Sequence, residues 1–232
     1  MTTVLCVPGA FSFGNIATLE SGLGGPRELL TQLGDNSVAA IVPVKYNDWD
    51  AIGGATNGAS KIDAALHQVS ADENIVLYGH SYGAVSNCVW LRNQGLTSTI
   101  DPARLTIVNI ANSIRPNNGL AAMLGMYLPV GPVSTKYRVI EVIREFDKWG
   151  DYPNVTSSPH YWQALNNCNY GDMAPGNIHI SYQGIRLTNP HVETTIGTVT
   201  FMLFETNPIP NPSGVTRAQL ETAYNRIVTP NW

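Results

Sequence analysis

A chain of 232 residues that is 44% hydrophobic and only 13% charged can bury a large core, so we expect a single domain over residues 1–232. The formal net charge of −4 argues against nucleic acid as a partner, because nucleic-acid binding requires a basic surface. The uncharged run 116–135 is interrupted by prolines and glycines, so stable membrane insertion is not expected either.

Apolar runs alternate with helical patterns along the chain, and this alternation predicts an α/β fold with a mostly parallel sheet covered on both faces. The apolar runs predict strands at residues 3–7, 38–44, 75–78, 105–110, 137–146 and 194–204. Apolar residues at helical spacing predict helices at residues 26–33, 59–69, 160–167 and 217–228, and a further helix after residue 81. The glycines at positions 53, 54 and 58 are expected to form a flexible lead-in to the second of these helices.

The sequence carries no signature of a cofactor or a metal. Its glycine-rich stretches match neither a dinucleotide-binding nor a P-loop pattern, and H-E-x-x-H and paired C-x-x-C motifs do not occur. Three cysteines are odd in number and widely separated, which favours buried thiols over disulfides. Almost nothing precedes the first predicted strand, so we expect no signal peptide. We therefore expect a soluble protein, cytoplasmic as encoded, that would need lysis or another route to reach a cell envelope.

The most informative stretch is residues 74–91, where an apolar strand leads into G-H-S-Y-G at residues 79–83 and then into a helix. A G-x-S-x-G turn between strand and helix is typical of a nucleophile elbow, which predicts Ser81 as a nucleophile. The N–H of Tyr82 then lies at a helix N-terminus, where it can stabilise an oxyanion. A second donor is expected from the loop after the first strand, at Ala10 or Phe11.

A serine nucleophile needs a histidine base and a carboxylate that orients the base, and on such folds both follow the serine in the order acid, then histidine. His67 precedes the serine and His80 lies inside the elbow, where its side chain is expected to point away or to line the edge of the site. Among the remaining histidines, at positions 160, 179 and 191, we expect His179 to be the base. Asp147 and Asp151 both follow the strand predicted to end at residue 146, and the residues alone leave the choice open.

Five segments occur in an order that resembles the PE-PPE domain, a serine α/β-hydrolase module of mycobacteria and their relatives. They read Y-G-H-S-Y-G-A, N-S-I-R-P-N-N-G-L, E-F-D-K-W-G-D-Y-P, H-I-S-Y and L-E-T-A-Y-N-R. The chain also looks like the related cutinases and the lysin B esterases of actinobacterial phages, which implies a cutinase-like α/β-hydrolase fold. In those relatives the acid lies in a Gly-Asp-aromatic turn and the histidine is followed by a tyrosine, which match Asp151 and the pair His179 and Tyr182. The resemblance therefore favours Asp151 over Asp147.

The motifs and the resemblance together imply a serine esterase or lipase that hydrolyses lipid or other acyl esters, with Ser81, His179 and Asp151 as its triad. The apolar part of residues 117–134 is expected to form a lid or a wall for the acyl chain. One alternative is the cleavage of mycolyl or glycolipid esters of the actinobacterial envelope, or acyl transfer at the same site. Another is a non-catalytic, phage-associated binding protein on the same scaffold.

Overall fold

The structure is a computed structural model that describes residues 1–10, 25–50, 53–126, 130–173, 178–179, 182 and 185–226. Its centre is a seven-stranded sheet with the strand order β2-β1-β3-β4-β5-β7-β6. The strands are Thr2–Val7 (β1), Val38–Pro43 (β2), Asn74–His80 (β3), Leu105–Ile110 (β4), Arg138–Arg144 (β5), His191–Ile196 (β6) and Val199–Phe204 (β7). All neighbouring strands pair in parallel except β6 and β7. The predicted mostly parallel α/β sheet is confirmed.

The described helices connect these strands and cover the sheet. They are Gly25–Gln32 (α1), Gly54–Leu66 (α2), Tyr82–Trp90 (α3), Leu120–Met123 (α4), Tyr161–Met173 (α5) and Arg217–Glu221 (α6). Helix α3 continues into a π-helical turn at Leu91–Gly95, and a short 3-10 turn at Pro102–Arg104 leads into β4. None of the helices described is long and apolar enough to cross a bilayer.

Alternate residues of the central strands point into two separate apolar layers, as the twofold repeat of a strand dictates. Leu5 and Leu77 belong to the layer that α2 and α3 cover, whereas Val4 and Val76 belong to the layer that α1 covers. Because both faces of the sheet are buried, these strands appear in the sequence as continuous apolar runs rather than as alternating patterns. A third, smaller cluster packs under α5 and α6.

Glycine explains two of the differences between the predicted elements and the structure. The single strand predicted at 194–204 is the hairpin of β6 and β7, which turns at Gly197 with a φ of 60°. The glycines expected to form a flexible lead-in belong instead to α2, which begins at Gly54. A Cβ on Gly58 would lie 2.5 Å from Ser86 Oγ, so the glycine allows α2 to pack closely against α3. The prediction of a flexible segment at Gly54 and Gly58 was wrong.

Candidate active site

Ser81 occupies a strained turn at the carboxyl edge of the sheet, between β3 and α3. Its φ of 53° and ψ of −118° lie in a region that non-glycine residues seldom adopt, at a cost of about 1–3 kcal/mol. Its N–H donates to Ile110 O at 2.8 Å, which pins the turn to the end of β4. A Cβ on Gly83 would lie 2.1 Å from Val7 O, so glycine is required where the elbow passes the end of β1. The Ser81 side chain remains partly exposed and is accessible to a substrate.

His179 lies directly against this serine. Its Nε2 is 2.8 Å from Ser81 Oγ, and its Nδ1 is 2.9 Å from Asp147 Oδ1. A carboxylate can only accept a hydrogen bond, so Nδ1 carries the proton of the neutral ring. Nε2 is then left with a lone pair that accepts the hydroxyl proton of Ser81. Ser81 and His179, which the sequence analysis paired, are 98 positions apart in the chain and in contact in the structure.

Asp147 is fully buried and is held by four donors, one of which is the N–H of Gly150, 3.3 Å from Oδ1. His179 Nδ1 and the N–H of Trp149 donate to Oδ1, each at 2.9 Å, and the Tyr182 hydroxyl donates to Oδ2 at 2.6 Å. Burial by itself would raise the pKa of this carboxyl. The nearby charge of His179 and the hydrogen bonds outweigh burial and lower the pKa to about 2. Asp147 is therefore a carboxylate throughout the physiological pH range.

The preference for Asp151 as the partner of the histidine is corrected by this geometry. Asp151 is also fully buried, but its carboxylate faces two arginines rather than His179. Arg226 Nη2 lies 2.6 Å from Oδ2, and Arg115 Nη2 lies 3.5 Å from Oδ1. The N–H of Phe146 also donates to Oδ2, at 2.9 Å. Asp151 thus fixes the shape of the loop that carries Asp147, instead of orienting the imidazole.

The predicted oxyanion donors have different outcomes. Tyr82 is the first residue of α3, where backbone N–H groups have no acceptor within the helix. Ala10 is exposed and follows Gly9, whose Cβ position would lie 3.3 Å from Ser81 Cβ, so this loop runs beside Ser81. Phe11 lies outside the described residues. These roles therefore stay predictions.

Of the two orientations expected for His80, the structure shows the one in which the side chain lines the site: Nε2 lies 2.9 Å from His179 O. The sequence did not reveal that His179 is its partner. Burial, and to a smaller extent the charge of His179, lower the pKa of His80 to about 4. Two other histidines have local partners, since His67 bonds to Asp63 O within α2 and the ring of His191 stacks on Phe204.

The indole of Trp149 lies beside the imidazole of His179. The ring centroids of Trp149 and His179 are 6.0 Å apart, and the Trp149 side chain is partly exposed. Its carbonyl accepts from the N–H of Leu120 at 2.9 Å, which ties the start of α4 to the loop of Asp147. An apolar surface therefore lies next to His179 and Ser81.

The segment predicted as a lid, residues 117–134, is described except for 127–129. Its first part is anchored, because Leu120 and Ala121 are buried. Farther along, Leu124 and Met126 are 62% and 40% exposed, so apolar side chains face solvent just beyond the anchored turn. The lid remains a prediction.

A second buried polar cluster crosses the centre of the sheet. Glu141 on β5 accepts from Asn109 Nδ2 at 2.7 Å and from Asn112 Nδ2 at 3.1 Å. Asn87 of α3 donates to Asn109 Oδ1 at 2.9 Å, which joins the helix behind the nucleophile to the same cluster. Burial raises the pKa of Glu141 to about 7, even though the amides favour the charged form.

The described residues include no group of three or more His, Cys, Asp and Glu side chains that could hold a metal ion. The three cysteines, Cys6, Cys88 and Cys168, are buried thiols, as the sequence predicted.

The chain was compared with known proteins. Similar solved structures include a cutinase-like protein from Cryptococcus sp., 17% identical, with a TM-score of 0.46 over 65% of this chain and 79% of that one. A metagenomic carboxyl esterase is 14% identical, with a TM-score of 0.42 over 96% of this chain and 74% of that one. A putative hydrolase from Pectobacterium atrosepticum is 14% identical, with a TM-score of 0.41 over 72% of this chain and 74% of that one. No curated protein matches the sequence.

The family assignment comes from the sequence itself. Residues 37–212, which include the elbow, the loop of Asp147 and His179, match the PE-PPE domain. The α/β-hydrolase architecture expected from the resemblance is confirmed by the parallel sheet and its strand–serine–helix turn. The chain therefore belongs to the PE-PPE domain family.

Proposed function

We propose that the protein is a serine hydrolase of carboxylic esters, with Ser81 as nucleophile, His179 as general base and Asp147 as the acid that orients the base. The observation that carries this proposal is the continuous hydrogen-bond path from Ser81 Oγ to His179 Nε2, at 2.8 Å, and from His179 Nδ1 to Asp147 Oδ1, at 2.9 Å. Such a path lets the imidazole take the hydroxyl proton as the serine attacks, while the carboxylate stabilises the resulting imidazolium.

In the first half-reaction, Ser81 Oγ bonds to the acyl carbon while its proton moves to His179 Nε2. The carbonyl oxygen becomes an oxyanion, which the N–H of Tyr82 is positioned to bind at the start of α3. Collapse of this intermediate breaks the bond to the alcohol oxygen, and the imidazolium returns its proton to the leaving alcohol. In the second half-reaction, water repeats the sequence on the acyl-enzyme, which releases the carboxylic acid and restores the serine.

Apolar surface near the serine supports an acyl-chain ester as the substrate class. The partly exposed indole of Trp149 lies beside the ring of His179. Exposed Leu124 and Met126 follow a turn that is bonded to the main chain of the same tryptophan. Burying such side chains against an alkyl chain contributes about 0.8 kcal/mol for each methylene. We therefore expect kcat/KM on p-nitrophenyl esters to rise from acetate to longer chains.

Labelling with a fluorophosphonate probe and turnover of p-nitrophenyl esters test the proposal together. Ser81→Ala removes the nucleophile, and we expect loss of labelling and at least about a 10³-fold fall in kcat. Ser60→Ala is a matched control, because Ser60 is exposed on α2 and bonds within its helix, to Thr56 O. A wild-type protein that neither labels nor turns over esters, or an active Ser81→Ala variant, would overturn the proposal.

A further inference from the structure

His80 and Ser81 are consecutive residues, and both bind the same histidine. Ser81 Oγ lies 2.8 Å from the side-chain Nε2 of His179, while His80 Nε2 lies 2.9 Å from its main-chain oxygen. The two imidazole rings also pack together, with their centroids 5.3 Å apart. The edge of the Tyr182 ring meets the His80 ring at 6.2 Å. The elbow therefore contacts both the side chain and the main chain of His179.

The acceptor determines which nitrogen of His80 carries a proton. A carbonyl oxygen can only accept, so the short contact requires the proton on Nε2 and leaves Nδ1 without one. Nδ1 faces the close approach of Gly9, whose Cβ position would lie 3.3 Å away. The depressed pKa of about 4 keeps this ring neutral near neutral pH. His80 is therefore a fixed donor that does not compete with His179 for the proton of Ser81.

The two partners of this bond differ in how they are supported. His80 ends β3 and is paired in register with Ile110 of β4, so the sheet holds it. His179 lies in a turn, outside the helices and strands of the described residues. The bond from His80 is thus a direct link between the rigid sheet and the main chain of the proposed base.

We propose that His80 is a positioning residue, whose Nε2–H bond to His179 O fixes the main chain of the base relative to the nucleophile that follows His80 in the chain. This inference rests on the proposed function, since it assigns His80 a role in the same reaction. Proton transfer depends steeply on geometry, and a displacement of about 1 Å can cost on the order of 10²-fold in rate.

Two substitutions separate the hydrogen bond from the packing of the ring. His80→Phe keeps an aromatic ring of similar volume but has no donor, whereas the amide of His80→Gln places a donor near the position of Nε2. We expect His80→Phe to lower kcat by about 10- to 100-fold with KM changed by less than about threefold, because the bond acts on the reacting geometry and not on substrate binding. His80→Gln should recover most of that loss. A Phe variant with wild-type kcat, or a Gln variant as impaired as the Phe variant, overturns the proposal.

Proton and nitrogen NMR of the histidines tests the same proposal without turnover. In the wild-type protein at pH 7, we expect His80 to be neutral with its proton on Nε2, and His179 to show a downfield Nδ1–H resonance from its bond to Asp147. His80→Phe should broaden that resonance or speed its exchange with water, and His80→Gln should not. A His80 ring protonated on Nδ1, or a His179 resonance unchanged in the Phe variant, contradicts the proposal even if a variant is unstable. The tautomer and the resonance can behave as expected while the wild-type protein has no esterase activity. In that case the proposed function fails, but the bond from His80 to the main chain of His179 is still supported.

Discussion

The two aspartates of the loop after β5 have opposite roles in the structure, and exchanging each for asparagine separates them. Asp147→Asn removes the carboxylate beside His179 and changes few atoms. The carboxyl pKa falls from 3.8 to about 2, which corresponds to a net preference for the charged form of about 2 kcal/mol. Burial opposes this preference, so the attraction between Asp147 and its partners is larger than the net value. If the transition state alone lost this stabilisation of about 2 kcal/mol, kcat would fall by about 30-fold.

Asparagine also changes the tautomer of the base. Its amide can donate to His179 Nδ1, which moves the ring proton to Nε2 and blocks the acceptance of the Ser81 proton. Together, the two effects give an expected fall in kcat of about 10²- to 10⁴-fold for Asp147→Asn. The free energy of unfolding should change far less, because the asparagine side chain fills the same space.

Asp151→Asn is expected to lower the stability of the protein and to leave kcat nearly unchanged. It leaves Arg226 and Arg115 facing a neutral amide in a fully buried setting, and breaking a buried pair costs about 3–5 kcal/mol of stability. The surviving folded molecules should keep kcat within about tenfold of wild type, because Asp147 still orients His179.

The assay is p-nitrophenyl ester turnover per active site titrated with a fluorophosphonate, combined with urea unfolding of both variants. Titration corrects the rate for any unfolded fraction, so that stability and catalysis are measured separately. An Asp147→Asn enzyme with near-normal kcat per titrated site, or an Asp151→Asn enzyme as slow as expected for Asp147→Asn, would refute the assignment of Asp147.

Two further predictions concern stability. The folded-state pKa of Glu141 is raised to about 7, so its contribution is fully present below about pH 4.5 and is lost as the pH rises through 7. Between pH 5 and pH 8, the free energy of unfolding of the wild-type protein, measured in urea, should therefore fall by about 3 kcal/mol relative to that of Glu141→Gln. If the two proteins show the same dependence of this free energy on pH, the prediction is wrong. Gly83→Ala should prevent folding or destabilise the protein by more than about 4 kcal/mol, because its Cβ would meet Val7 O at 2.1 Å. The control Gly214→Ala has a φ of 78° but no atom near its Cβ position, and it should cost only about 1 kcal/mol in the same thermal or urea unfolding.

The parts of the site that local sequence determines were accessible from the sequence. A buried strand followed by G-x-S-x-G and a helix predicted the elbow, and the order of residues after it selected His179. Both inferences rest on patterns within about ten residues or on chain order. The same is true of the parallel sheet, whose strands are continuous apolar runs because both faces are buried.

The choice between the aspartates was not accessible in this way, because it depends on partners that are distant in the chain. Asp151 is paired with Arg226, 75 residues later, and with Arg115, 36 residues earlier. Two buried carboxylates four positions apart have similar local patterns. The turn motif of the relatives pointed to Asp151, whereas Asp147 is the aspartate that contacts His179. The available signal was that Asp147 lies nearer the end of β5. The contact of His80 was hidden for the same reason, since 99 residues separate it from His179.

The pairing of Asp151 with Arg226 also has a consequence for the order in which the molecule is completed. Ser81, Asp147 and His179 have all been synthesised before Arg226 is added to the growing polypeptide. Until then, the loop that carries Asp147 contains a buried anion with only Arg115 opposite it, so its closed shape lacks its principal counter-charge. If the proposed function holds, we expect a chain still attached to the ribosome short of residue 226 to be unreactive, although it already contains Ser81, Asp147 and His179.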